Sequence, residues 1–347
     1  MPSTIAAKPK QLPPGVYVPV ISLYKDTPRQ ELDLDAAYKH FSHMIRGGVH
    51  GIVLAGTNAE AVLLSPTDRQ ELIRVAKKAA TDLGVPNYPL VAGITGHSTN
   101  ESIQLAEDAA KAGAGWALLL PPNYWAKAVT KEVILSFYRE VADNSPIPVV
   151  IYSVCIYPSR FIELFHHTNR VIKFPAVTNG VDMSSDVMSE LAQHPNIVGT
   201  KLTCGNAGKV TRLSYQYTPE QFSVYAGSSD WLLPCLIGGG VGCVTGMGNV
   251  FPKSTSHLYN LWVAGKTEEA RKLQGVVAEA EKVCKEGIAL TKFASYYFNG
   301  RDMGIDEKVY YPRKPYQPAK KDREEWAIKS MAELAAYENT LPDVVGA

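Results

Sequence analysis

Cysteine is scarce and scattered in this chain. Five occur among 347 residues, at positions 155, 204, 235, 243 and 284, with no CxxC pair and no Cys/His ligand spacing. That pattern argues against a disulfide framework and against structural zinc, and it reads as a reduced intracellular protein. Net charge is also lacking: 35 Lys and Arg stand against 34 Asp and Glu, a formal balance of +1. A neutral chain carries no electrostatic footprint for nucleic acid or an anionic membrane, so neither is expected as a partner. No uninterrupted apolar run reaches the roughly 18 residues of a membrane span. No G-x-G-x-x-G turn follows the first apolar run, which removes the dinucleotide fingerprint. The stretch Met1–Pro14 lacks the apolar core of a signal peptide and the Arg-rich pattern of a transit peptide. It reads as a disordered N-terminal segment, residues 1–14, of a cytoplasmic rather than mitochondrial protein.

What is present is a large apolar complement, 46% hydrophobic against 20% charged, enough for a sizeable core. Short apolar runs alternate with longer helical patterns. Strands are predicted at Val16–Ser22, Gly51–Ala55, Leu90–Gly93, Trp116–Leu120, Val149–Tyr152, Ile197–Leu202, Phe222–Ala226 and Gly242–Thr245. Most are continuous apolar or β-branched runs, as expected of strands buried on both faces. Helices are predicted between them, among others at Asp33–Gly47, Pro66–Asp82, Ser98–Ala112 and Lys131–Ala142. Ser65-Pro66 is a cap followed by proline at the first helical position, and Ser98 to Glu101 reads as a capping box. Eight β/α units closing a parallel (β/α)8 TIM barrel over residues 15–252 are the simplest architecture. An open doubly wound sheet is the alternative. Residues 253–347 then form a C-terminal helical extension, with helices at Thr267–Gly287, Ile288–Tyr297 and Asp322–Tyr337 and an extended connector at Tyr310–Pro318.

In such a barrel, chemistry sits at the C-terminal ends of the strands. Lys201 lies there in strand 6. An amine in a desolvated pocket loses proton affinity and becomes a nucleophile toward ketones. Strand 2 ends in Ala55-Gly-Thr-Asn-Ala-Glu60, where Gly56 permits a tight turn, Thr57 supplies a hydroxyl, and the following N–H groups suit a carboxylate. Strand 5 ends in Ile151-Tyr152, and strand 4 in Pro121-Pro-Asn-Tyr124. A carboxylate cradle, a strand-end phenol and a strand-end amine together point to Schiff-base chemistry on a 2-oxo acid. The iminium is then the electron sink, so no cofactor or metal is expected beyond the covalent imine on Lys201.

These motifs resemble the dihydrodipicolinate synthase / N-acetylneuraminate lyase superfamily of pyruvate-dependent class I aldolases. The resemblance runs from about Pro14 to the end of strand 8. It rests on Gly56-Thr-Asn-Ala-Glu60, on Ile151-Tyr152 and on Gly199-Thr-Lys-Leu-Thr203. It implies Lys201 as the Schiff-base lysine, Tyr152 as the catalytic phenol, and Thr57 and Asn58 as binders of the pyruvyl carboxylate. Tyr124 matches a family tyrosine that in many members crosses a dimer interface into the neighbouring site. A homotetramer, a dimer of dimers, is implied with it. Thr203 and Val244 join the substrate-binding set. Two positions depart from the pattern. Val177 stands where dihydrodipicolinate synthases carry an arginine for the second substrate, which disfavours lysine biosynthesis. Ala59 replaces a glycine. The loop after Lys201 looks more like eukaryotic 2-keto-3-deoxy-sugar-acid and 4-hydroxy-2-oxoglutarate aldolases. The expected reaction is cleavage of such an acid to pyruvate, or glyoxylate, and an aldehyde. The rivals are a condensing synthase or dehydratase on the same lysine, an inactive oligomeric family member, and a phosphosugar isomerase barrel kept open by Gly238-Gly-Gly240.

Residues 154–173 interrupt the family pattern. Without them the chain reads Ile-Tyr-Ser-Phe-Pro-Ala-Val-Thr-Asn-Gly. The segment begins Val154-Cys155, which GTATGT can encode, contains Thr168-Asn169, which ACTAAC can encode, and ends in Lys173, which AAG can encode. These match fungal splice and branch signals, so the segment reads as a translated intron. A lid over the barrel mouth is the rival reading.

Overall fold

The structure, a computed structural model, describes residues 10–154 and 178–345. The expected barrel is there. β1 (Gly15–Pro19), β2 (Gly51–Leu54), β3 (Leu90–Gly93), β4 (Trp116–Leu119), β5 (Val149–Ser153), β6 (Ile197–Leu202), β7 (Ser223–Ala226) and β8 (Gly242–Val244) form a closed parallel sheet in that order. The helices α1 (Leu34–Arg46), α2 (Pro66–Asp82), α3 (Thr99–Ala112), α4 (Lys131–Asn144), α5 (Ser185–Leu191), α6 (Ala207–Gln216), α7 (Leu232–Ile237) and α8 (Pro252–Val263) follow the strands one by one. α8 packs on β1 and completes the eighth unit, so α9 (Thr267–Lys285), α10 (Ile288–Ser295) and α11 (Lys321–Glu338) make up the extension proper.

The predicted start signals act as expected, with one change. At α2, Ser65 and Asp68 form a reciprocal capping box ahead of Pro66. At α3, Ser98 accepts from the Glu101 N–H, but the Glu101 carboxylate accepts from His97 at 2.6 Å rather than from Ser98. The helix predicted to run to Tyr297 passes into a π-turn at Tyr296–Gly300. Among the described residues no helix is long and apolar enough to cross a membrane. Residues 10–14, expected to be disordered with the rest of 1–14, are structured. Leu12 is buried inside the barrel, and the carbonyls of Lys10, Leu12 and Pro13 accept from Trp116, Tyr225 and Tyr17. Three aromatic side chains on inward-facing strand positions cannot leave their donors unpaired. The polar, Pro-rich look of this stretch hid its role as the plug at the N-terminal end of the barrel.

The interrupting segment lies outside the described residues apart from Val154, as does Val177. Its flanks are described. The Thr178 hydroxyl donates to the Val154 carbonyl at 2.7 Å, so the chain leaves β5 and re-enters at adjacent points.

One irregularity decides which way the end of β6 faces. Val149 pairs with Ile197, but Val150 pairs with Gly199, so Val198 is an extra residue opposite the junction. Val150, Tyr152 and Val198 belong to the core inside the barrel, while Ile151, Ile197 and Leu202 pack outward against the helices. A strand alternates with period two. Without the bulge, the inward phase of Val198 would pass to residues 200 and 202 and turn Lys201 toward the helices. The bulge shifts that phase by one. Thr200 then points outward to Met188 of α5, and Lys201 shares the inner face with its register partner Tyr152.

The extension is tied to the C-terminal end of the barrel through Glu281 of α9. Its carboxylate is buried and accepts from the hydroxyls of Ser229, after β7, and Thr245, after β8. Burial, reinforced by Asp230, pushes Glu281 up to about 7, although Ser229, Lys285 and Thr245 act in the opposite direction. The folded chain therefore keeps a proton there that the unfolded chain has released. This contribution is whole below the ordinary value of 4.5 and is lost as pH rises through about 7. In Glu281→Gln that loss is expected to vanish. Unfolding midpoints of variant and wild type should diverge by about 2 °C or more between acid and neutral pH, and parallel curves would contradict it. At Gly199 a Cβ would meet the Ser223 carbonyl oxygen at 2.4 Å. Gly199→Ala is therefore expected to destabilise by about 1–3 kcal/mol, read from chemical denaturation. An unchanged midpoint would mean that β7 yields freely.

Candidate active site

Lys201 and Tyr152 meet inside the barrel mouth. Both are buried, and the Lys201 Nζ lies 3.9 Å from the centre of the Tyr152 ring, over its face. Burial alone would raise the Tyr152 phenol. It is outweighed by the charge of Lys201 and by the nearby Thr57 and Thr203 hydroxyls and Lys201 amine, and the net shift is downward. A phenol made more acidic beside an amine is poised to exchange a proton with whatever binds there.

Four of the expected residues thus come together: Lys201, Tyr152, Thr57 and Thr203. Thr57 arrives on the loop after β2, where Thr57–Ala59 form one 3-10 turn that opens at Gly56. The N–H groups at the start of such a turn have no partner within it. Asn58 packs against the loop after β8, where a Cβ on Gly246 would come within 2.7 Å of its Nδ2. Thr203 follows directly after β6. Its Oγ1 is buried with no hydrogen-bond partner, and it is pressed by Gly227, where a Cβ would lie 2.3 Å away. Val244 lies at the end of β8 in the same interior cluster as Tyr152.

Tyr124 is not brought to this pocket within one chain. It is 69% exposed, edge-on to Trp125 and His97. Cys204 is half-buried and burial raises its thiol, as befits a packing role.

Sequence reasoning missed three contributors. Gly199 was read only as part of a motif, and its need to lie under the β7 backbone has no local signal. Glu60 was quoted in the same motif, but its partner Lys292 stands on α10, where the Nζ donates to Glu60 at 2.7 Å. Glu281 reads as one more charge on an amphipathic helix.

Comparison with known proteins agrees with the fold. The model of the dihydrodipicolinate synthetase family matches residues 13–333. A protein of Coccidioides immitis bearing the name of a mitochondrial 4-hydroxy-2-oxoglutarate aldolase is 40% identical over 333 residues, covering 95% of this chain and 98% of its own length. The L-threo-3-deoxy-hexylosonate aldolase of Aspergillus niger is 31% identical, covering 96% and 98%. A crystal structure of a dihydrodipicolinate synthase family protein from Coccidioides immitis superposes with a TM-score of 0.82 at 38% identity, covering 96% of this chain and 100% of that one. The mitochondrial designation of the first relative overturns the expectation of a cytoplasmic protein. With the family model spanning nearly the whole chain and the barrel shared throughout, this chain belongs to the dihydrodipicolinate synthetase family.

Proposed function

We propose that the chain is a Schiff-base aldolase that cleaves a 4-hydroxy-2-oxo acid into a pyruvate-type 2-oxo acid and an aldehyde. The observation that carries this reading is the amine of Lys201 lying 3.9 Å over the Tyr152 ring, both buried at one register position of β5 and β6. The amine adds to the C2 ketone and water leaves, giving an iminium. The Tyr152 phenol gives its proton to the departing water, and the phenolate so formed takes the proton of the C4 hydroxyl. The C3–C4 electron pair then moves into the iminium as an enamine, and the aldehyde departs. Protonation at C3 and hydrolysis release the 2-oxo acid and free Lys201.

Thr57 and Asn58 hold the C1 carboxylate in this reading. The unpaired Thr203 hydroxyl receives a polar group of the substrate, and Val244 lines the pocket. No metal or cofactor takes part, so EDTA should leave the activity unchanged. The names of both aldolase relatives describe 4-hydroxy-2-oxo acids, and these two substrates are the ones to test first. A second copy of the chain covers the exposed rings of Tyr124 and Trp125 in the homotetramer that the reading includes. A dehydratase on the same lysine would return the intact carbon skeleton with loss of water, which product analysis separates from pyruvate plus aldehyde.

Incubation with pyruvate and sodium borohydride, followed by peptide mass spectrometry, tests the reading directly. The expected product is a reduced pyruvyl adduct on Lys201, absent in Lys201→Arg. Tyr152→Phe should keep the adduct and lose about 10²-fold or more in cleavage. An adduct only after removal of residues 154–173 would mean that the segment blocks the site. No adduct with or without it would overturn the assignment.

A further inference from the structure

The loop that carries Thr57 and Asn58 is held in a conformation its own residues do not favour. Ala55 at its start has φ +50° and Glu60 at its end has φ +56°, and neither is glycine. Left-handed backbone at non-glycine residues persists only where surroundings over-determine it. The Glu60 carboxylate is where those surroundings converge. One oxygen accepts from Lys292 Nζ at 2.7 Å, the other from the Arg313 backbone N–H at 2.8 Å.

Both partners come from beyond the barrel. Lys292, on α10, is completely buried. Its remaining contacts are the Tyr311 carbonyl at 3.0 Å and the face of Tyr24 at 4.5 Å. Arg313 lies 5.0 Å from the same ring and donates to the Leu63 carbonyl and to Asp68, past the other end of the loop. A lysine with no exposure gains nothing from water, so its charge is tolerated because Glu60 faces it.

We infer that Lys292 is a positioning residue: through Glu60 it fixes the loop after β2 in the shape that receives the substrate carboxylate. This rests on the role given above to Thr57 and Asn58. The extension is thereby part of the substrate site, although none of its residues touches substrate.

The test compares the pyruvate concentration for half-maximal borohydride trapping in the wild type, Thr57→Val, Lys292→Arg and the double variant Lys292→Met/Glu60→Gln, which removes both charges together. Lys292→Met alone would strand a buried carboxylate and risk the fold. In the double variant the pyruvate requirement should rise about tenfold, with the trapping rate at saturation within about twofold of wild type. Lys292→Arg should stay near wild type. A rise in Thr57→Val without one in the folded double variant would overturn the role of Lys292 alone. No rise in Thr57→Val would overturn the carboxylate reading and this inference with it.

If the double variant does not fold, pH gives the answer in proteins that do. Burial brings Lys292 down to about 8, against the pull of Glu60 and helped by Arg313. The charged and titratable groups around it are Glu60, Arg313 with its partner Asp68, and Tyr24. From about pH 7 to about pH 9 the wild type should need progressively more pyruvate than Lys292→Arg, which keeps its charge. Superimposable profiles would overturn the inference.

Discussion

The extra residue at Val198 is the constraint on which the site depends. A parallel barrel gives every strand two faces, one toward the interior and one toward the helices. The proposed chemistry needs Lys201 and Tyr152 on the interior face of neighbouring strands. With regular pairing from Val149 onward, the inward phase of Val198 would put Thr200 and Leu202 inside. The bulge lets β6 spend two residues, Val198 and Gly199, on the inner side and arrive at Lys201 in step with Tyr152. It can form because Gly199 has no side chain to push against the Ser223 carbonyl of β7. A glycine two residues before Lys201 thus decides whether that amine faces the inside of the barrel.

The barrel's two ends are filled by opposite means. The N-terminal end is closed by Tyr17, Tyr225 and Trp116, with the carbonyls of residues 10–13 taking up their donors. The C-terminal end holds buried ionisable groups: Lys201, Lys292 with Glu60, and Glu281. Buried polar groups need partners, and those of Lys292 and Glu281 bring distant segments together. Lys292 links α10 to the loop after β2, while Glu281 links α9 to the loops after β7 and β8. The extension is therefore held where loops carry function, rather than against the aromatic plug.

Much of this was legible in the sequence because it is local. The strands read as β-branched runs, the starts of α2 and α3 as capping residues, and Lys201 and Tyr152 as polar side chains at the ends of apolar strands. What escaped is what depends on residues far apart. The pairing of Glu60 with Lys292 spans 232 positions and leaves no periodic trace. The plug at residues 10–14 looks like a disordered tail, since what it contributes is carbonyls, which every residue has. The bulge is invisible as a pattern because Ile197–Leu202 reads as one continuous strand whether or not a residue is looped out. Tyr124, by contrast, stands exposed at the end of its motif, edge-on to Trp125 and His97 and away from Lys201.

The placement of Lys201 over the Tyr152 ring unites the structural and chemical arguments. The face of an aromatic ring attracts a cation. The covalent intermediate of the proposed reaction is a cation centred on the same nitrogen. A ring already under Nζ at 3.9 Å therefore needs no reorganisation when the iminium forms. In the proposed reaction the phenol at the edge of that ring also takes the C4 proton. One side chain thus serves the two charges that appear on opposite sides of the breaking bond, the iminium through its face and the hydroxyl proton through its oxygen. Replacing it by phenylalanine separates the two roles, since the face remains and the oxygen goes. The register pairing of Tyr152 with Lys201 is what allows a single residue to do both.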